Sequence, residues 1–391
     1  MWPSSLTNVE GAIGRIRWLS VRSFRNLLDA DLEVPEQGCV IVGENGHGKT
    51  SFIEAMLYPE VFRSCRGAGD QELVRFGSDG FYLKAVVSGQ GTGGQGSRQS
   101  AADSGPQSSA VRTQERHVSA GYDARTKAKK VTVDGVEPER LADAIGVVRG
   151  VVLSPGDVAL VAGGPRERRQ YLDVLLALTA DGYLGALSTY RRALRHRNHA
   201  TSADAPVWEA MLAESGARIT QARRAFVERW APAYRAHCSA MGERGEPALG
   251  YASRTDGSAA ALREALERSR ERDLVRGRTS VGPHRDDLRL LLDARELRDY
   301  GSAGQQRTAA LALRLIEAEA QERSTGSPVT VCLDDAFAEL DEGRSARLGQ
   351  LIDEMAAAGS QVIAAVPKER DVPEIIGSLP RWRVTDGRVA Q

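Results

Sequence analysis

The chain has 391 residues, with 52 basic and 52 acidic side chains, and 41% of the residues are hydrophobic. The balanced charge excludes a binder driven by a global positive field, and the lack of any run of 18 apolar residues excludes a membrane span. No secretory signal pattern opens the chain, and the four cysteines are scattered without a CxxC pair, so we expect a cytoplasmic protein without structural zinc or disulfides.

The N-terminal region predicts a β-rich segment with a low-complexity insertion. Residues 1–14 are expected to form a leader, and alternating apolar residues over Arg15–Val21 predict the first strand. Two later strands, Phe81–Val87 and a partner near Arg112–Tyr122, predict a hairpin. The residues between them, about 88–110, are mostly glycine, serine and glutamine. Such a composition cannot bury enough apolar surface to offset its chain entropy, so we expect a disordered insertion.

The pattern along the rest of the chain changes twice. Residues 15–150 read as α/β, and the apolar residues from about 155 to 275 then recur with the 3.6-residue period of helices. Strand and helix patterns alternate again over 281–391. The predicted fold class is therefore α/β, split in sequence by an inserted helical lobe at 151–280.

The strongest motif follows Cys39–Val42, an apolar run that predicts a strand buried on both faces. Gly43–Thr50 reads G-x-x-x-x-G-K-T, the P-loop, and we expect the helix that starts at Thr50 to stop at Pro59. Lys49 is expected to reach the β- and γ-phosphates of ATP, and the Thr50 hydroxyl to ligate Mg²⁺. The predicted nucleotide-binding residues of the loop are Gly43, Glu44, Asn45, Gly46, His47, Gly48, Lys49, Thr50 and Ser51.

An acidic pair at the end of a second apolar strand predicts a metal site. Val329–Leu333 is apolar and is followed by Asp334 and Asp335, the Walker B pattern. Because side chains alternate along a strand, the two carboxylates point differently. We expect Asp334 to hold Mg²⁺ and Asp335 to orient or activate the attacking water. A solvated acidic turn would also carry such a pair, and the P-loop upstream favours the metal site.

A short polar motif lies between the two Walker motifs. Ser302-Ala303-Gly304-Gln305 offers a hydroxyl, free N–H groups and a helix dipole to an anion. Ser302 alone also suits an ordinary helix N-cap. The position of the motif favours the signature sequence of ABC-type ATPases, with Ser302, Gly304 and Gln305 at the phosphates. Ala338–Asp341, just after Walker B, resembles the D-loop of that class.

These ordered motifs resemble the RecF family, ABC-type recombination mediators related to the heads of SMC proteins. The resemblance covers nearly the whole chain from Arg15, apart from the insertion. Besides the Walker A and signature motifs, it is carried by the segments Ser23–Leu27, Phe62–Arg66, Ser154–Asp173, Val281–Leu288 and Leu333–Asp341.

The resemblance implies an ABC-type ATPase head, lobe I, with lobe II as a helical arm. It implies Arg25 and Asn26 as further nucleotide ligands, and an ATP-dependent dimer in which Ser302 caps the ATP held by Walker A of the other subunit. It also implies slow, DNA-stimulated hydrolysis, binding of double-stranded and gapped DNA, and action with RecO and RecR to place RecA on DNA. Lys49 and Ser302 suit the same phosphates, so a second copy would complete the site if one fold holds them apart.

Two features keep other hypotheses open. Strand Gln361–Val366 lacks the His, or the Thr/Ser-rich stretch, that follows Walker B in related heads. A scaffold that binds ATP without hydrolysing it therefore remains an alternative. The nucleotide-binding subunit of a transporter shares the same motifs, but the long arm and Gly282–Arg285 argue against it.

His47 of the P-loop is expected to face solvent.

DNA contacts are predicted at two basic clusters, one on the arm and one at a hairpin edge. They comprise Arg191, Arg192, Arg195, Lys127, Lys129 and Lys130. Solvated surfaces often carry such clusters, and sequence-independent phosphate binding is the functional alternative.

Overall fold

The computed structural model describes residues 14–90, 113–338 and 340–391. Outside these ranges lie the predicted leader up to residue 13, the predicted insertion from residue 91, and Glu339 of the D-loop-like segment. The chain forms two compact units. The first unit takes residues up to 152, 325–336 and 349–391, and the second takes 153–324 and 337–348.

Strands and helices are numbered in chain order. The strands are β1 (Arg15–Arg22), β2 (Ala30–Glu33), β3 (Gly38–Val42), β4 (Gly80–Gln90), β5 (Thr113–Asp123), β6 (Ala128–Val133), β7 (Gly150–Leu153), β8 (Pro247–Ala252), β9 (Asp287–Leu292), β10 (Arg295–Glu296), β11 (Thr330–Asp334), β12 (Gln361–Val366), β13 (Arg381–Thr385) and β14 (Arg388–Ala390). The helices are α1 (Lys49–Val61), α2 (Asp70–Leu73), α3 (Ala159–Ala162), α4 (Pro165–Thr179), α5 (Tyr183–Asn198), α6 (Ala205–Ala240), α7 (Ala259–Arg276), α8 (Leu297–Tyr300), α9 (Ala303–Thr325) and α10 (Glu342–Ala357).

Two sheets build the first unit. Five strands pair antiparallel in the order β2-β1-β4-β5-β6. The second sheet has the order β14-β13-β3-β12-β11-β7, in which β13, β3, β12 and β11 run parallel. The strands that carry the two Walker motifs, β3 and β11, are therefore separated by β12 alone. Because these strands are parallel, their carboxyl ends meet at the same edge of the sheet.

The core of the first unit is formed by side chains of both sheets and of α1. Phe24, Tyr58 and Phe81 meet edge to face. The helix continues through Pro59 to Val61, so our prediction that Pro59 stops it is wrong. The proline lies in the last turn, where its missing N–H removes one helical hydrogen bond. The helix is buried there, and the surrounding packing offsets that loss.

The predicted hairpin of β4 and β5 is present, with Phe81 opposite Tyr122. β4 extends to Gln90, so residues 88–90 are strand and were wrongly assigned to the insertion. β6 follows β5 in the chain and pairs with it antiparallel. Asp134 and Gly135 come directly after β6 and have φ of 52° and 81°, the left-handed values of a tight turn.

The second unit contains helices α3 to α9 and a small antiparallel sheet in the order β10-β9-β8. α6 packs against α5, α7 and β8. We did not predict β8 within the helical block, because its partner β9 begins 35 residues after β8 ends and no local pattern reveals that pairing. The unit also continues beyond residue 280, through α9 to Ser324. Within the described ranges, no helix combines the length and apolar character needed to span a membrane.

Candidate nucleotide-binding site

The loop between β3 and α1 has the backbone geometry of a phosphate-binding turn. Gly46 and Gly48 have φ of 86° and 113°, in the left-handed region that glycine adopts without strain. A side chain at Gly48 would also press on Leu27 and Asn26. α1 then begins at Lys49, so the positive end of its dipole faces the loop.

Lys49 is held inside this loop by backbone carbonyl groups. Its Nζ donates to the carbonyl oxygens of Gly43 at 2.7 Å and Glu44 at 3.3 Å, and the residue is 5% exposed. A phosphate group would offer the same ammonium a charged and therefore stronger acceptor. The geometry thus suits the phosphate contact predicted for Lys49.

Thr50 and Asp334 meet although they are far apart in sequence. The Thr50 hydroxyl donates a hydrogen bond to Asp334 Oδ1 at 2.9 Å. Burial raises the pKa of Asp334 above its usual range, while the bond from Thr50 opposes this. Hydroxyl and carboxylate oxygens are hard ligands of the kind that Mg²⁺ prefers. The two predicted metal ligands are therefore adjacent in the structure.

Asp335 leaves β11 in an unusual backbone conformation. Its φ is 51°, which is uncommon outside glycine, and its N–H donates to the Ala365 carbonyl at 3.1 Å. Its Oδ1 is buried and has no hydrogen-bond partner among the described residues. Burial raises the pKa of this carboxyl as well. An unpartnered buried oxygen costs free energy, and a water beside a bound nucleotide and metal would satisfy it.

The segment after β1 supports the loop from the side. Asn26 Nδ2 donates to the Gly46 carbonyl at 2.9 Å, and Asn26 Oδ1 accepts from the Ser51 hydroxyl at 2.8 Å. Arg25 instead donates to both carboxylate oxygens of Glu54, at 2.9 and 3.1 Å. These bonds fix the Arg25 guanidinium beside the first turns of α1, and its contact with the nucleotide stays a prediction.

His47 keeps part of its side chain exposed, as predicted, but it also contacts the C-terminal hairpin. Its Nδ1 accepts from the Asp386 N–H at 3.1 Å, and its carbonyl accepts from the Gly387 N–H at 2.9 Å. The turn between β13 and β14 therefore fixes the P-loop. Sequence reasoning missed this contact, because the Asp386-Gly387 pair signals only a turn.

The signature motif lies in the second unit, at the start of α9. Ser302 Oγ accepts from the Gln305 N–H at 3.3 Å, and Gln305 Oε1 accepts from the Ser302 N–H at 2.9 Å. This reciprocal pair is a capping box. Ser302 is exposed, and since its oxygen accepts in the cap, its own O–H proton remains available to an anion. The N-cap and signature interpretations of Ser302 are therefore compatible.

Lys129 differs from the other residues predicted to contact DNA. Its ammonium lies 2.7 Å from Asp70 Oδ2, donates to the Phe62 carbonyl at 2.8 Å and sits over the Tyr58 ring. These contacts fix β6 against α1 and α2 and leave the ammonium engaged. A DNA phosphate would have to compete with these contacts for Lys129, and the DNA contact of this residue stays a prediction.

The remaining predicted DNA contacts are exposed. They are Arg191, Arg192, Arg195, Lys127 and Lys130. Arg191 also donates to Asp173 at 2.9 Å, so its charge is partly neutralised. The exposed arginines of α5 and the lysines flanking Lys129 therefore remain candidates for phosphate contact.

Comparison with known proteins finds relatives over nearly the whole chain. No family model matches. A DNA replication and repair protein RecF from Acidothermus cellulolyticus is 33% identical over 378 residues, which are 91% of this chain and 94% of the relative. The RecF of Thermomicrobium roseum is 32% identical, and the match covers 96% and 99% of the two chains.

Solved structures show the same likeness. A RecF–ATP structure, described as the recombination mediator of the RecFOR pathway, is 27% identical and has a TM-score of 0.83 over 98% of both chains. A Smc head bound to the C-terminal winged-helix domain of ScpA has a TM-score of 0.52 at 13% identity, which bears on the fold alone.

Two Walker strands at one edge of a parallel sheet, and a signature motif beyond a helical insert, define an ABC-type ATPase head of the kind found in SMC proteins. The relatives make the assignment more specific, because they match about nine-tenths of the chain at about one-third identity. The chain belongs to the RecF family. This membership favours the recombination mediator over the transporter subunit.

Proposed function

We propose that the chain is an ATP-dependent, DNA-binding recombination mediator and a weak, DNA-stimulated ATPase. The observation that carries the proposal is the meeting of Lys49, Thr50, Asp334 and Asp335 around one loop. RecF relatives over nearly the whole chain, one of them solved with ATP, support the same conclusion.

In this proposal the phosphates of ATP lie on the N–H groups of the P-loop and on Lys49. Thr50 and Asp334 would hold Mg²⁺, which would neutralise charge on the phosphates of ATP. Asp335 accepts the hydrogen bond of the attacking water through its unpartnered oxygen.

A second copy of the chain completes each site. Ser302 of that copy offers its hydroxyl and the N-terminal dipole of α9 to the γ-phosphate. The exposure of Ser302 and the capping geometry, which leaves its proton free, support this role. Hydrolysis removes the shared phosphate and lets the two copies separate.

Exposed cations on α5 and at the β5–β6 hairpin bind double-stranded DNA next to single-stranded gaps. Arg192 and Arg195 are the foremost of these, with Lys127 and Lys130. RecR and RecO are the proposed protein partners. With them the protein helps to place RecA on DNA without contacting RecA directly, and it acts in the cytoplasm. These assignments rest on the family likeness and on the exposure of the residues.

Light scattering after size exclusion tests the proposal, with ATP, with ADP and without nucleotide. We expect the wild type to dimerise with ATP only. Ser302→Arg should remain monomeric while binding a fluorescent ATP analogue normally, since the P-loop is untouched.

Ser258→Arg is the matched control, because Ser258 caps α7 of the same unit by accepting from the Ala261 N–H. This variant loses a cap, worth about 1 kcal/mol, yet should dimerise. A wild type that stays monomeric at saturating ATP, with and without duplex DNA, refutes the proposal.

A further inference from the structure

Gln305 links the signature serine to a carboxylate outside the motif. Its Oε1 accepts from the Ser302 N–H at 2.9 Å, and its Nε2 donates to Glu243 Oε1 at 3.2 Å. Only one orientation of the amide satisfies both bonds. Glu243 therefore determines which way Gln305 faces, and through Gln305 it determines the conformation of Ser302.

Glu243 sits just beyond the C-terminal end of α6, the 36-residue helix of the second unit. Its side chain is 8% exposed, and its Oε2 has no hydrogen-bond partner in the described part of the chain. Burying a carboxylate is costly unless a cation compensates for it. The Arg344 guanidinium supplies that charge at 3.7 Å from Oε2.

Arg344 connects the same carboxylate to the D-loop-like segment. It donates to Asp341 Oδ2 at 2.7 Å and to Thr308 Oγ1 of α9 at 3.1 Å. Its guanidinium also lies against Gly304, where a side chain would come within 3.1 Å of it. One buried carboxylate thus holds the signature glutamine directly and the D-loop aspartate through a single arginine.

We propose that Glu243 is a positioning residue that joins the end of α6 to the signature motif. It holds Gln305 and Arg344 so that Ser302 and Asp341 have the geometry required to close on ATP bound by a second copy of the chain. The inference rests on the proposed head-to-head dimer. Because Glu243 follows α6 directly, a displacement of this helix end changes how well the motif caps the nucleotide.

Glu243→Ala, Gln305→Ala and the double variant test this role. The readouts are the dissociation constant of the ATP-bound dimer, measured by analytical ultracentrifugation, and the ATP affinity of the dilute monomer. We expect Glu243→Ala to weaken dimerisation by at least about tenfold, the order for a lost charge-assisted hydrogen bond. The ATP affinity of the monomer should be unchanged, and this separates positioning from general damage to the fold.

The double variant should lose less than the sum of the two single losses, because part of the effect of Glu243 passes through Gln305 and the rest through Arg344. Glu243→Gln keeps an acceptor for Gln305 but loses the charge facing Arg344, so its dimerisation should be intermediate. It also serves as the test if Glu243→Ala fails to fold. Glu246→Ala is the matched control, since Glu246 is an exposed acid paired with Arg235 at 3.1 Å, and it should dimerise like the wild type.

Additive losses in the double variant would overturn the inference. A Glu243→Ala protein that dimerises as tightly as the wild type would also overturn it. If Glu243→Ala is unfolded, the same result for Glu243→Gln would do so. In those cases Ser302→Arg would still abolish the dimer, and the proposed function would stand. A Ser302→Arg protein that dimerises normally would instead refute the proposed function itself, and the inference with it.

Discussion

Asp335 shows at the scale of one residue how a reactive site reduces stability. Its side chain is half-buried, burial raises the pKa of its carboxyl, and one buried oxygen lacks a hydrogen-bond partner among the described residues. When folding raises the pKa of a carboxyl, that group stabilises the protein at pH values below its ordinary pKa. The contribution is lost as the pH rises through the pKa of the folded state. At neutral pH the ionised Asp335 therefore opposes folding when no nucleotide is bound.

Asp335→Asn should consequently do two things. ATP turnover should fall by about a hundredfold or more, the usual contribution of a general base, while the thermal unfolding temperature without nucleotide rises at pH 7. The gain should shrink as pH falls toward 4. Asp123→Asn is the control. Hydrogen bonds from Thr126 lower the pKa of Asp123, so its ionised form stabilises the fold, and this substitution should lower the unfolding temperature at pH 7. Unchanged turnover in Asp335→Asn would favour the non-hydrolysing scaffold.

His284 predicts acid sensitivity of the second unit. Its Nδ1 accepts from the Tyr190 hydroxyl at 2.6 Å when Nε2 donates to the Thr279 carbonyl at 3.0 Å, an arrangement that requires neutral imidazole. Burial lowers its pKa to about 4. The unfolded chain therefore takes up the proton first as pH falls, and stability is lost between about pH 6.5 and 4, by at most about 3 kcal/mol.

Denaturant unfolding at pH 7 and pH 5 checks this expectation. His284→Gln can keep both hydrogen bonds without titrating, so its stability should fall less than that of the wild type over this range. His199→Gln, which changes an exposed histidine of the same unit, should track the wild type. Equal losses in all three proteins would contradict the assignment to His284.

At the scale of elements, two similar turns differ in what surrounds them. Gly135 and Gly387 both follow an aspartate and have φ of 81° and 79°. A methyl group at Gly135 meets nothing, whereas one at Gly387 would overlap the Asn26 carbonyl. Gly387 therefore serves both a turn and the P-loop that its hairpin supports.

Replacing each glycine with alanine separates these roles. Gly135→Ala should cost only the strain of a left-handed alanine, about 1–2 kcal/mol of unfolding free energy, and leave ATP affinity unchanged. Gly387→Ala should cost more stability and weaken ATP binding, because it displaces the segment that holds Asn26 and His47. Calorimetric titration with ATP distinguishes the two, and equal affinities would contradict the support role of the hairpin.

Elements whose evidence is local were predictable from the sequence, and those that depend on distant partners were not. Apolar runs and turn residues predicted the strand before the P-loop and the β4–β5 hairpin. β8 did not, since its stability comes from pairing with β9. Likewise, the hydrogen bonds of His47 to the Asp386-Gly387 turn, and of Gln305 to Glu243, join residues that nothing in the local pattern relates.

At the scale of the whole molecule, the proposed sharing of ATP between copies predicts complementation. Lys49→Ala removes phosphate binding and Ser302→Arg removes capping, so each variant alone should lack turnover. In a mixed dimer, one of the two sites combines an intact P-loop from the second variant with an intact Ser302 from the first. Mixing the two proteins should therefore restore part of the wild-type ATPase rate, measured by phosphate release. A mixture as inactive as its components would mean that Ser302 does not act across copies.

The pairing of β3 has a consequence for synthesis of the protein on the ribosome. β3 carries the P-loop, yet both strands that flank it, β12 and β13, begin only at Gln361 and Arg381. Until those residues leave the exit tunnel, the strand beneath the phosphate cradle has no neighbours, and His47 lacks the turn that fixes it. Nascent chains that lack these two strands therefore contain the whole P-loop sequence without a working nucleotide pocket, and we expect them not to bind ATP until both strands have been synthesised.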